Sequence, residues 1–490
     1  MLIKYGGDMN QSEKIRSLTN YHPTYNIILT GIAILTVVLS LFLSPKILVS
    51  AQTNLDGTQN LTNHSFLPIM QQGVIYYYVS LQGNDSNPGT FYLPWRTIGK
   101  AAHMVEPGDS IYIRGGVYQE AVEFSSSGTA SAPIKILAYP GETPVLDGNN
   151  YTLPKDFGGS LLEISGNYIS VTGIEVRYSS YLGVLLAGVH DTVTGINSHH
   201  NLHSGMRIEG DFSIIENSLI WSNDMQNYNG EHPEKDSTAI TASRRPNYAT
   251  IRHNKVFSNW GIGLSTYEAN GTIIEDNIVY DNYGPNIYIS DATNILFQRN
   301  FVYATGSMLG GPQIGIQMGD ETNNPPSSDI TIINNIVYGT NRNLACWEGS
   351  SHQMTNVLIA NNTFVNSKAE SGIVFKEGLS FQNVRFMNNL TQQTDQLPII
   401  LVRASHLGLT FSNNLWSKTP TNAASSPNDI VGDPLFAQTG DPHTPEWFML
   451  TGVSPAINKA LALSAVNVDY FGIPRLPLPD VGANEFFPNP

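Results

Sequence analysis

The 490-residue chain has a single cysteine, Cys346, and only 13% of its residues are charged. One cysteine excludes an intramolecular disulfide framework, so the fold must be stabilised by packing and hydrogen bonds alone. Basic residues are also scarce, since 25 Lys and Arg stand against 40 Asp and Glu, which gives a formal net charge of −15. Because phosphate binding needs concentrated positive charge, the sequence predicts no nucleic-acid partner.

Glycine and proline are plentiful, with 43 and 28 residues. This composition is typical of many short strands joined by turns, and it disfavours a helical protein. At 490 residues the chain is long enough for two or three ordinary domains or for one long repeat array. The distribution of asparagine along the chain favours the repeat array.

The N-terminal segment 1–51 contains an uncharged apolar run over residues 27–43, preceded by Lys and Arg residues. The length of this run fits both the core of a cleaved signal peptide and a short membrane anchor. In either case the positive charge on the amino side predicts that the rest of the chain lies outside the cell. We therefore expect an extracellular protein, either secreted or anchored to the cell surface, with no membrane contact beyond residues 27–43. Residues 52–75 are polar and aperiodic, which predicts a linker.

An asparagine recurs at a regular interval through the middle of the chain, with an apolar residue three positions before it. The positions are Asn217, Asn254, Asn277, Asn300, Asn335, Asn362, Asn389 and Asn414. Gly173 and Gly195 stand at the corresponding places upstream, with the apolar position shifted by one residue. Most steps measure 22 to 27 residues, and two measure 35 and 37. Self-similarity of this kind indicates a repeat protein.

Glycine and asparagine are the residues that most readily adopt a left-handed backbone conformation. The column therefore predicts a tight bend between two strands, at which stacked asparagines hydrogen-bond along the repeat. The period fits one turn of a three-sided coil, whereas a propeller blade needs roughly 40 residues and a leucine-rich repeat needs a leucine signature. We predict an all-β fold, a right-handed single-stranded parallel β-helix over residues 76–420. A helix near residues 97–105 should cap its N-terminal end, and residues 421–490 should form an irregular C-terminal cap.

Motifs at both ends of this region carry a family resemblance. Gly-Asn-Asp-Ser-Asn-Pro-Gly-Thr stands at residues 83–90 and Pro-Gly-Asp at residues 107–109, while Asp-Pro-Leu-Phe stands at residues 433–436 and Asp-Val-Gly-Ala-Asn-Glu at residues 480–485. With the repeats, these motifs make nearly all of residues 76–486 resemble secreted β-helix proteins of the pectate-lyase-like superfamily. The resemblance implies the fold, export and action on a carbohydrate. The adjacent Asp-Asp of polygalacturonases and the Trp-Ile-Asp-His of pectate lyases are absent, so no residue role is carried over.

The two longest steps of the repeat contain insertions, at residues 224–237 and at residues 306–311 and 321–328. They flank two regular coils, so we expect walls around an open face on which binding residues collect. The strands of that face are predicted at residues 261–268 and 286–291, which should stack because equivalent positions are 23 residues apart.

Aromatic residues on this face are candidates for substrate binding, namely Trp260, Tyr267 and Tyr288. Aromatic rings beside charged groups suit sugar rings, although aromatic stacks that merely cover a corner fit the sequence equally well. Lys376 and Arg403 are 27 residues apart, again the local period, and form a second candidate for contact with an anionic sugar. Because the insertions lie elsewhere, we expect the aromatic group to matter more for binding than this basic pair.

Glu268 and Asp291 are also 23 residues apart, so the fold predicts that the two carboxylates lie roughly 4.8 Å from each other. Like charges at that distance repel, and three arrangements resolve the repulsion. The pair could bind Ca²⁺, which takes carboxylate oxygens. One acid could be protonated, as in the catalytic pair of a retaining glycosidase. Both side chains could also point into water.

Candidates for proton transfer lie on the preceding coils. His203 follows His199 and His200 in one turn, directly before Arg207, and Arg245 is placed one coil later. A histidine or an arginine can abstract the C5 proton of a uronic acid while a cation neutralises the carboxylate, as lyase chemistry requires. His203, Arg207 and Arg245 are therefore catalytic candidates together with Glu268 and Asp291.

The sequence as a whole predicts an extracellular carbohydrate-active protein, either a polysaccharide lyase or a glycosidase. Its partner would be a polysaccharide or a cell-surface glycan, Ca²⁺ is the only cofactor that the residues point to, and we expect a monomer. The alternative is a non-catalytic glycan-binding or structural β-helix at the cell surface. The sequence leaves open whether the chain is an enzyme.

Overall fold

Three long parallel sheets wind around one core in this computed structural model, which describes residues 76–149, 153, 159–235, 237–244, 246–306, 310–322, 326–347 and 353–488. The described residues belong to one unit, which starts at residue 68. The predicted signal or anchor segment, the predicted linker and Arg245 lie outside the described residues. Within the described ranges, no helix is long and apolar enough to cross a membrane.

Sheet 1 has eleven strands, β4 (Val122–Phe124), β7 (Ser160–Ile164), β10 (Leu182–Leu186), β13 (Met206–Ile208), β16 (Thr238–Ser243), β19 (Ile262–Tyr267), β22 (Ile287–Ser290), β25 (Ile314–Gly319), β28 (Arg342–Cys346), β31 (Ile373–Phe375) and β34 (Ile400–Val402). Sheet 2 has thirteen strands, β1 (Tyr76–Val79), β2 (Ser110–Ile113), β5 (Ile134–Ala138), β8 (Ile169–Thr172), β11 (Thr192–Thr194), β14 (Ile214–Glu216), β17 (Thr250–Arg252), β20 (Ile273–Glu275), β23 (Thr293–Gln298), β26 (Ser328–Ile333), β29 (Gln353–Ala360), β32 (Ser380–Met387) and β35 (Leu409–Ser412). Sheet 3 has thirteen strands, β3 (Gly116–Tyr118), β6 (Pro144–Asp147), β9 (Glu175–Arg177), β12 (Asn197–His199), β15 (Leu219–Trp221), β18 (Lys255–Phe257), β21 (Ile278–Tyr280), β24 (Phe301–Tyr303), β27 (Ile336–Tyr338), β30 (Thr363–Val365), β33 (Leu390–Gln392), β36 (Leu415–Trp416) and β37 (Ile430–Val431).

Each coil contributes one strand to sheet 1, then one to sheet 2 and one to sheet 3, and each strand pairs in parallel with its equivalent in the next coil. The apolar residues that precede the asparagine column form the interior of this stack. Ile251, Ile274 and Phe297, for example, lie in register on neighbouring strands of sheet 2 and are fully buried. The sequence-based prediction of a right-handed parallel β-helix is confirmed.

The asparagine column is a continuous ladder at the bend between sheets 2 and 3. Asn254 donates through its backbone N–H and its Nδ2 to Oδ1 of Asn277, at 3.0 and 3.1 Å, and Asn277 donates in the same way to Asn300. The pattern continues through Asn335, Asn362 and Asn389 to Asn414.

The predicted column is wrong by one residue at its start. The exposed Asn217 does not belong to the ladder; Ser218 takes that place and donates its backbone N–H to Asn254 Oδ1. Asn217, like Gly173 and Gly195 before it, occupies the left-handed position one residue earlier, with a φ of 52°. In later coils that left-handed position is held by residues such as His253. The ladder asparagines are therefore selected for their amide groups rather than for backbone conformation.

A second ladder, which the sequence analysis did not predict, lies at the bend between sheets 3 and 1. Asn201, Asn223, Asn259 and Asn282 each donate a backbone N–H to the side-chain oxygen of the next asparagine, and the series ends at Asn286. All five side chains are fully buried. This ladder lies before strands β13, β16, β19 and β22 of sheet 1 and stabilises the bend that leads to them.

Replacing Asn277 by alanine is expected to lower the free energy of unfolding by about 1–3 kcal/mol, because buried partners on two neighbouring coils lose their hydrogen bonds. Asn277→Ala removes donors to Ile251 O, Glu275 O and Asn300 Oδ1 and the acceptor for Asn254. Urea unfolding would measure the loss. Asn217→Gly is the matched control, since glycine tolerates the left-handed backbone and should leave stability unchanged. Equal stability of the Asn277 variant and the parent would contradict the ladder.

Helix α1 (Ile98–Met104) closes the N-terminal end of the stack, as predicted. Thr97 caps the helix by accepting the backbone N–H of Lys100. The carboxylate of Glu120 accepts the backbone N–H of Ile98 at 2.9 Å, where the positive end of the helix dipole favours an anion. Buried Ala101 on the same helix belongs to the main core.

The C-terminal segment was predicted to be an irregular cap, and most of it lies along the side of the solenoid. We call residues 433–488 the strap. Buried strap residues such as Phe448 pack on the outer face of sheet 3 against Phe301 and Ile336. The guanidinium of Arg475 in the strap donates to Asn334 Oδ1, at the bend between sheets 2 and 3, at 2.8 Å. Strand β37 and short 3-10 helices at Asn422–Ala424 and Pro445–Phe448 complete this region.

Candidate functional site

The outer face of sheet 1 consists of the side chains that alternate with buried core residues. Ser265 lies opposite Tyr288, and Tyr267 lies opposite Ser290, which confirms the register predicted for these strands. The central column of this face runs through Glu163, Leu185, Arg207, Thr241, Ser265, Tyr288, Gln317, Ala345, Val374 and Leu401. A second column, nearer the bend to sheet 2, runs through Ser243, Tyr267, Ser290 and Gly319.

The first predicted insertion forms a wall at the edge where the chain enters sheet 1. It contains two short 3-10 helices, Met225–Gly230 and Pro233–Lys235. The ring of Tyr228 packs edge-on against the ring of Trp260, with centroids 5.0 Å apart. Trp260 precedes β19 and Tyr267 ends it, so these two predicted binding residues stand at opposite edges of the sheet.

Two predicted catalytic residues, His203 and Arg207, lie near enough on this face for the charge of Arg207 to act on the imidazole. We call them, with Tyr181, Glu209 and Arg244, the His203 cluster. The rings of Tyr181 and His203 are 4.7 Å apart. Glu209 Oε1 lies 3.6 Å from a guanidinium nitrogen of Arg207 and 3.3 Å from one of Arg244. Tyr181 and His203 precede β10 and β13, whereas Glu209 and Arg244 follow β13 and β16. The imidazole and the phenol therefore stand at the edge where the chain enters sheet 1, the shared carboxylate stands at the opposite edge, and Arg207 lies between them.

Burial, with a further contribution from the charge of Arg207, lowers the pKa of His203 to about 4. The imidazole is therefore neutral at neutral pH and can accept a proton. The side chain of Arg207 is 12% exposed, and its Nε is buried without a hydrogen bond to any described residue. A guanidinium on an outer face suits a carboxylate ligand, which its N–H groups can bind through two hydrogen bonds. Arg245, the third catalytic candidate of this region, lies outside the described residues.

The other two histidines of the predicted trio face away from this cluster. His199 belongs to sheet 3, where its ring stacks on Trp221 with centroids 4.6 Å apart and its Nε2 lies 3.3 Å from Glu175. His200 Nδ1 lies 2.8 Å from His199 Nδ1. The turn between the two sheets thus separates the histidines, and only His203 is placed with Arg207.

The predicted pair Glu268 and Asp291 follows β19 and β22, and both residues have a left-handed backbone. Asp291 is fully buried and accepts hydrogen bonds from the backbone N–H and the hydroxyl of Thr322, at 2.7 and 2.9 Å, and from the Ser290 hydroxyl at 2.7 Å. Burial acts to raise the pKa of Asp291, but these hydrogen bonds lower it below its ordinary value. Asp291 therefore anchors the following loop as an ionised carboxylate.

This arrangement bears on both chemical roles predicted for the pair. Both oxygens of Asp291 already accept hydrogen bonds, and the described residues contain no group of three or more acidic, histidine or cysteine side chains that could hold a metal ion. In a glycosidase pair the ionised Asp291 would leave Glu268 as the proton donor. Calcium binding and acid catalysis at this pair stay untested predictions.

Tyr288, predicted to contact the sugar, points outward but is only 8% exposed. Its hydroxyl donates to the carboxylate of Glu321 in the second insertion. Burial, followed by the Glu321 charge, raises the pKa of Tyr288 well above its ordinary value. The ring is thus a wall of the site, held by the insertion, rather than an open platform.

A second charged cluster lies further along the same face. Lys376 and Arg403 follow paired residues of β31 and β34, so they are neighbours, as their spacing of 27 residues predicted. Lys376 Nζ lies 5.9 Å from the centre of the Trp347 ring. Glu370 makes ion pairs of 2.5 Å with both Arg342 and Arg403. Trp347, Glu370 and Arg342 were not predicted from the sequence. The pairing of Cys346 with Phe375, one coil apart, places Trp347 beside Lys376, and the period of the repeat could have indicated this.

The chain matches the family described as "Pel9A-like, right handed beta helix region" over residues 77–383. Among curated proteins, it is 28% identical to pectate lyase L of Dickeya dadantii over 160 residues and 28% identical to pectate lyase PEL9 of Emericella nidulans over 170 residues. These alignments cover 30% and 32% of the chain but only 37% and 40% of the two relatives.

The crystal structure of pectate lyase Pel9A superposes with a TM-score of 0.50 at 19% identity, covering 84% of this chain and 96% of that one. The complex of XylC with xylose gives the same TM-score at 13% identity, covering 84% and 98%. At these identities the superpositions show a shared fold. The family match spans more than half of the chain, and the protein therefore belongs to the Pel9A-like right-handed β-helix family.

Proposed function

We propose that this chain is an extracellular, monomeric polysaccharide lyase that cleaves a uronate-containing polysaccharide on the outer face of sheet 1. The observation that carries the proposal is the neutral His203 near Arg207, whose guanidinium on the outer face of sheet 1 is 12% exposed. The relatives named pectate lyase support an acidic polysaccharide as the substrate. The apolar run at residues 27–43 supports export.

Lyase chemistry removes the proton on C5 of a uronate, next to its carboxylate, and expels the sugar oxygen on C4 as a C4–C5 double bond forms. Arg207 binds the carboxylate and stabilises the negative charge that develops on it. His203 accepts the C5 proton. Tyr181, 4.7 Å from the imidazole between ring centres, is placed to protonate the leaving oxygen. The bound carboxylate also offsets the Arg207 charge, which eases protonation of His203.

The test is incubation of the purified protein with polygalacturonate, alginate and a neutral polysaccharide, with and without added Ca²⁺. Unsaturated products would be followed at 235 nm and new reducing ends by a colorimetric assay. His203→Ala and Arg207→Ala are expected to lower kcat/KM by about 100-fold or more, the usual contribution of a general base. His406→Ala and Arg385→Ala replace exposed residues elsewhere on the solenoid and should leave kcat/KM unchanged.

The pH dependence provides a second readout of the same site. Because His203 must be neutral and its pKa is about 4, kcat/KM should fall only as the pH drops towards 4. Reducing ends without absorbance at 235 nm would instead indicate a glycosidase, and binding without products would indicate a non-catalytic glycan-binding protein. Full activity of the His203 variant would place the reaction elsewhere.

A further inference from the structure

The Lys376 region gathers positive charge in a chain whose formal net charge is −15. Arg342, Lys376 and Arg403 stand on three successive strands of sheet 1 or directly after them, and Glu370 makes ion pairs with Arg342 and Arg403. Glu370 is 23% exposed in its side chain and Arg403 is 43% exposed, so Arg403 faces solvent beyond this ion pair. Lysine and arginine so arranged attract an anionic ligand.

An aromatic ring lies beside this charge. Trp347 is half-buried and stands next to Lys376 on the outer face, so one sugar could meet both an indole and an ammonium group. Gly319 makes the packing of that ring possible. A Cβ atom at position 319 would lie 2.6 Å from the Tyr288 hydroxyl and 3.1 Å from Trp347 Nε1. The glycine therefore lets the two aromatic side chains close over the strand and fixes the position of the indole.

The two charged clusters lie on one continuous face. From β13, which carries Arg207, to β31, which precedes Lys376, sheet 1 makes six strand spacings. At about 4.8 Å per spacing the separation is roughly 29 Å, about the length of six sugar residues. Between them the central column holds Thr241, Ser265, Tyr288 and Gln317. Thr241, Ser265 and Tyr288 are 5%, 4% and 8% exposed, so these uncharged polar residues form the floor of the face. The face can therefore carry an extended chain along the axis of the solenoid.

We propose that Trp347, Lys376 and Arg403 form a distal subsite for the carboxylates of an acidic polysaccharide whose scissile bond lies at the His203 cluster. This inference rests on the proposed function, because it assumes the same substrate and the same face. It implies that the protein grips long chains at two points and favours them over short ones. It differs from the sequence-based expectation that the aromatic group around Trp260 dominates binding, which stays an untested prediction.

The test compares binding of a trimer and an octamer of galacturonate, and of the same lengths of mannuronate, by isothermal titration calorimetry. Every protein carries His203→Ala, so that no ligand is consumed. Without further changes the octamer should bind more tightly than the trimer. Lys376→Ala with Arg403→Ala should reduce the ratio of octamer to trimer affinity by about tenfold or more. Lys459→Ala with Arg385→Ala removes the same charge from exposed positions and should preserve the ratio.

A second variant covers the case in which the double substitution disturbs the fold. Glu370→Gln removes the carboxylate that pairs with Arg342 and Arg403, so it should raise octamer affinity more than trimer affinity. The subsite is refuted if neither octamer binds, or if both variants leave the ratio unchanged. Binding is measured without turnover, so the subsite is tested separately from the reaction. If the double substitution lowers octamer affinity more than trimer affinity, but the protein with His203 intact shows no lyase activity, the subsite is supported and the proposed reaction is rejected.

Discussion

Replacing Arg475 by methionine is expected to lower the free energy of unfolding by about 3–5 kcal/mol, because it leaves a buried carboxylate without its partner. The side chains of Arg475 and Glu485 are 3% and 0% exposed, with Nη1 and Oε2 3.0 Å apart. Arg475 also donates to the backbone oxygen of Gly482 and to Asn334 Oδ1, both at 2.8 Å. One guanidinium thus holds the strap together and fastens it to the solenoid.

Urea unfolding would measure this loss, and limited proteolysis would show whether the strap is the part that is released. The informative comparison is with the double variant Arg475→Met/Glu485→Gln. The amide keeps an acceptor oxygen for one of the two backbone N–H groups that Glu485 binds, and it carries no uncompensated charge. The double variant should therefore be more stable than the single one. Arg385→Met, at an exposed position of sheet 2, is the matched control and should change stability little.

The contacts of the strap could not be predicted from the sequence. The hydrogen bond between Arg475 and Asn334 joins residues 141 positions apart, and the strap has no period that would reveal its partners. The coils differ in this respect. Because each strand pairs with the equivalent strand one period away, the spacing of the asparagines was enough to predict the register of Ser265 with Tyr288.

The mistake at Asn217 has a physical cause. Glycine and asparagine tolerate a left-handed backbone, so an asparagine at the bend was read as the left-handed residue. The structure separates the two roles. The left-handed position holds residues as different as His253, Asp276 and Arg299, while the next position holds the amide that binds the following coil. The shifted apolar positions before Gly173 and Gly195 were the sign that two positions were involved.

Part of the candidate site was also predictable from the sequence. His203 and Arg207 are four residues apart, at a turn and on the strand that follows it, so the period placed both on one face. Whether Tyr288 is open depends on the insertion that carries Glu321, and insertions follow no repeat. The sequence therefore predicted which side chains point outward but not which of them a loop covers.

Asp191→Asn is expected to stabilise the protein above neutral pH by up to about 4 kcal/mol, the free energy by which folding disfavours ionisation when it raises the pKa of the carboxyl from 3.8 to about 7. Burial raises the pKa of Asp191 from 3.8 to about 7. Its Oδ1 accepts the backbone N–H of Ile169, but its Oδ2 is buried and has no hydrogen-bond partner among the described residues. Ionisation at this position therefore costs free energy that folding must offset.

Comparison with Ser213, the equivalent residue on the next coil, shows that the Asp191 side chain lacks a hydrogen-bond donor. On the next coil Ser213 donates its hydroxyl to Gly188 O, 25 residues earlier. The equivalent acceptor for Asp191 is Gly166 O, which also lies 25 residues earlier, and a carboxylate has no proton to donate to it. A Cβ at Gly188 would lie 1.8 Å from Gly166 O and 2.5 Å from Asp191 Oδ2, so the two oxygens face the same small space. The side-chain amide of an asparagine at position 191 can donate to Gly166 O, as asparagine amides donate to backbone oxygens in both ladders.

The pH dependence separates this explanation from a general effect of the substitution. A carboxyl group whose pKa is higher in the folded state contributes its full stability below the unfolded value near 4, and this contribution is lost as the pH rises towards 7. Asparagine does not titrate, so the stability difference between the Asp191→Asn variant and the parent should grow between pH 4 and pH 7 and stay constant above it. Glu231→Gln, at an exposed position, should show no such change. A difference that is the same at pH 4 and pH 8 would mean that Asp191 is ionised at both, and that the oxygen facing Gly166 is stabilised in some other way.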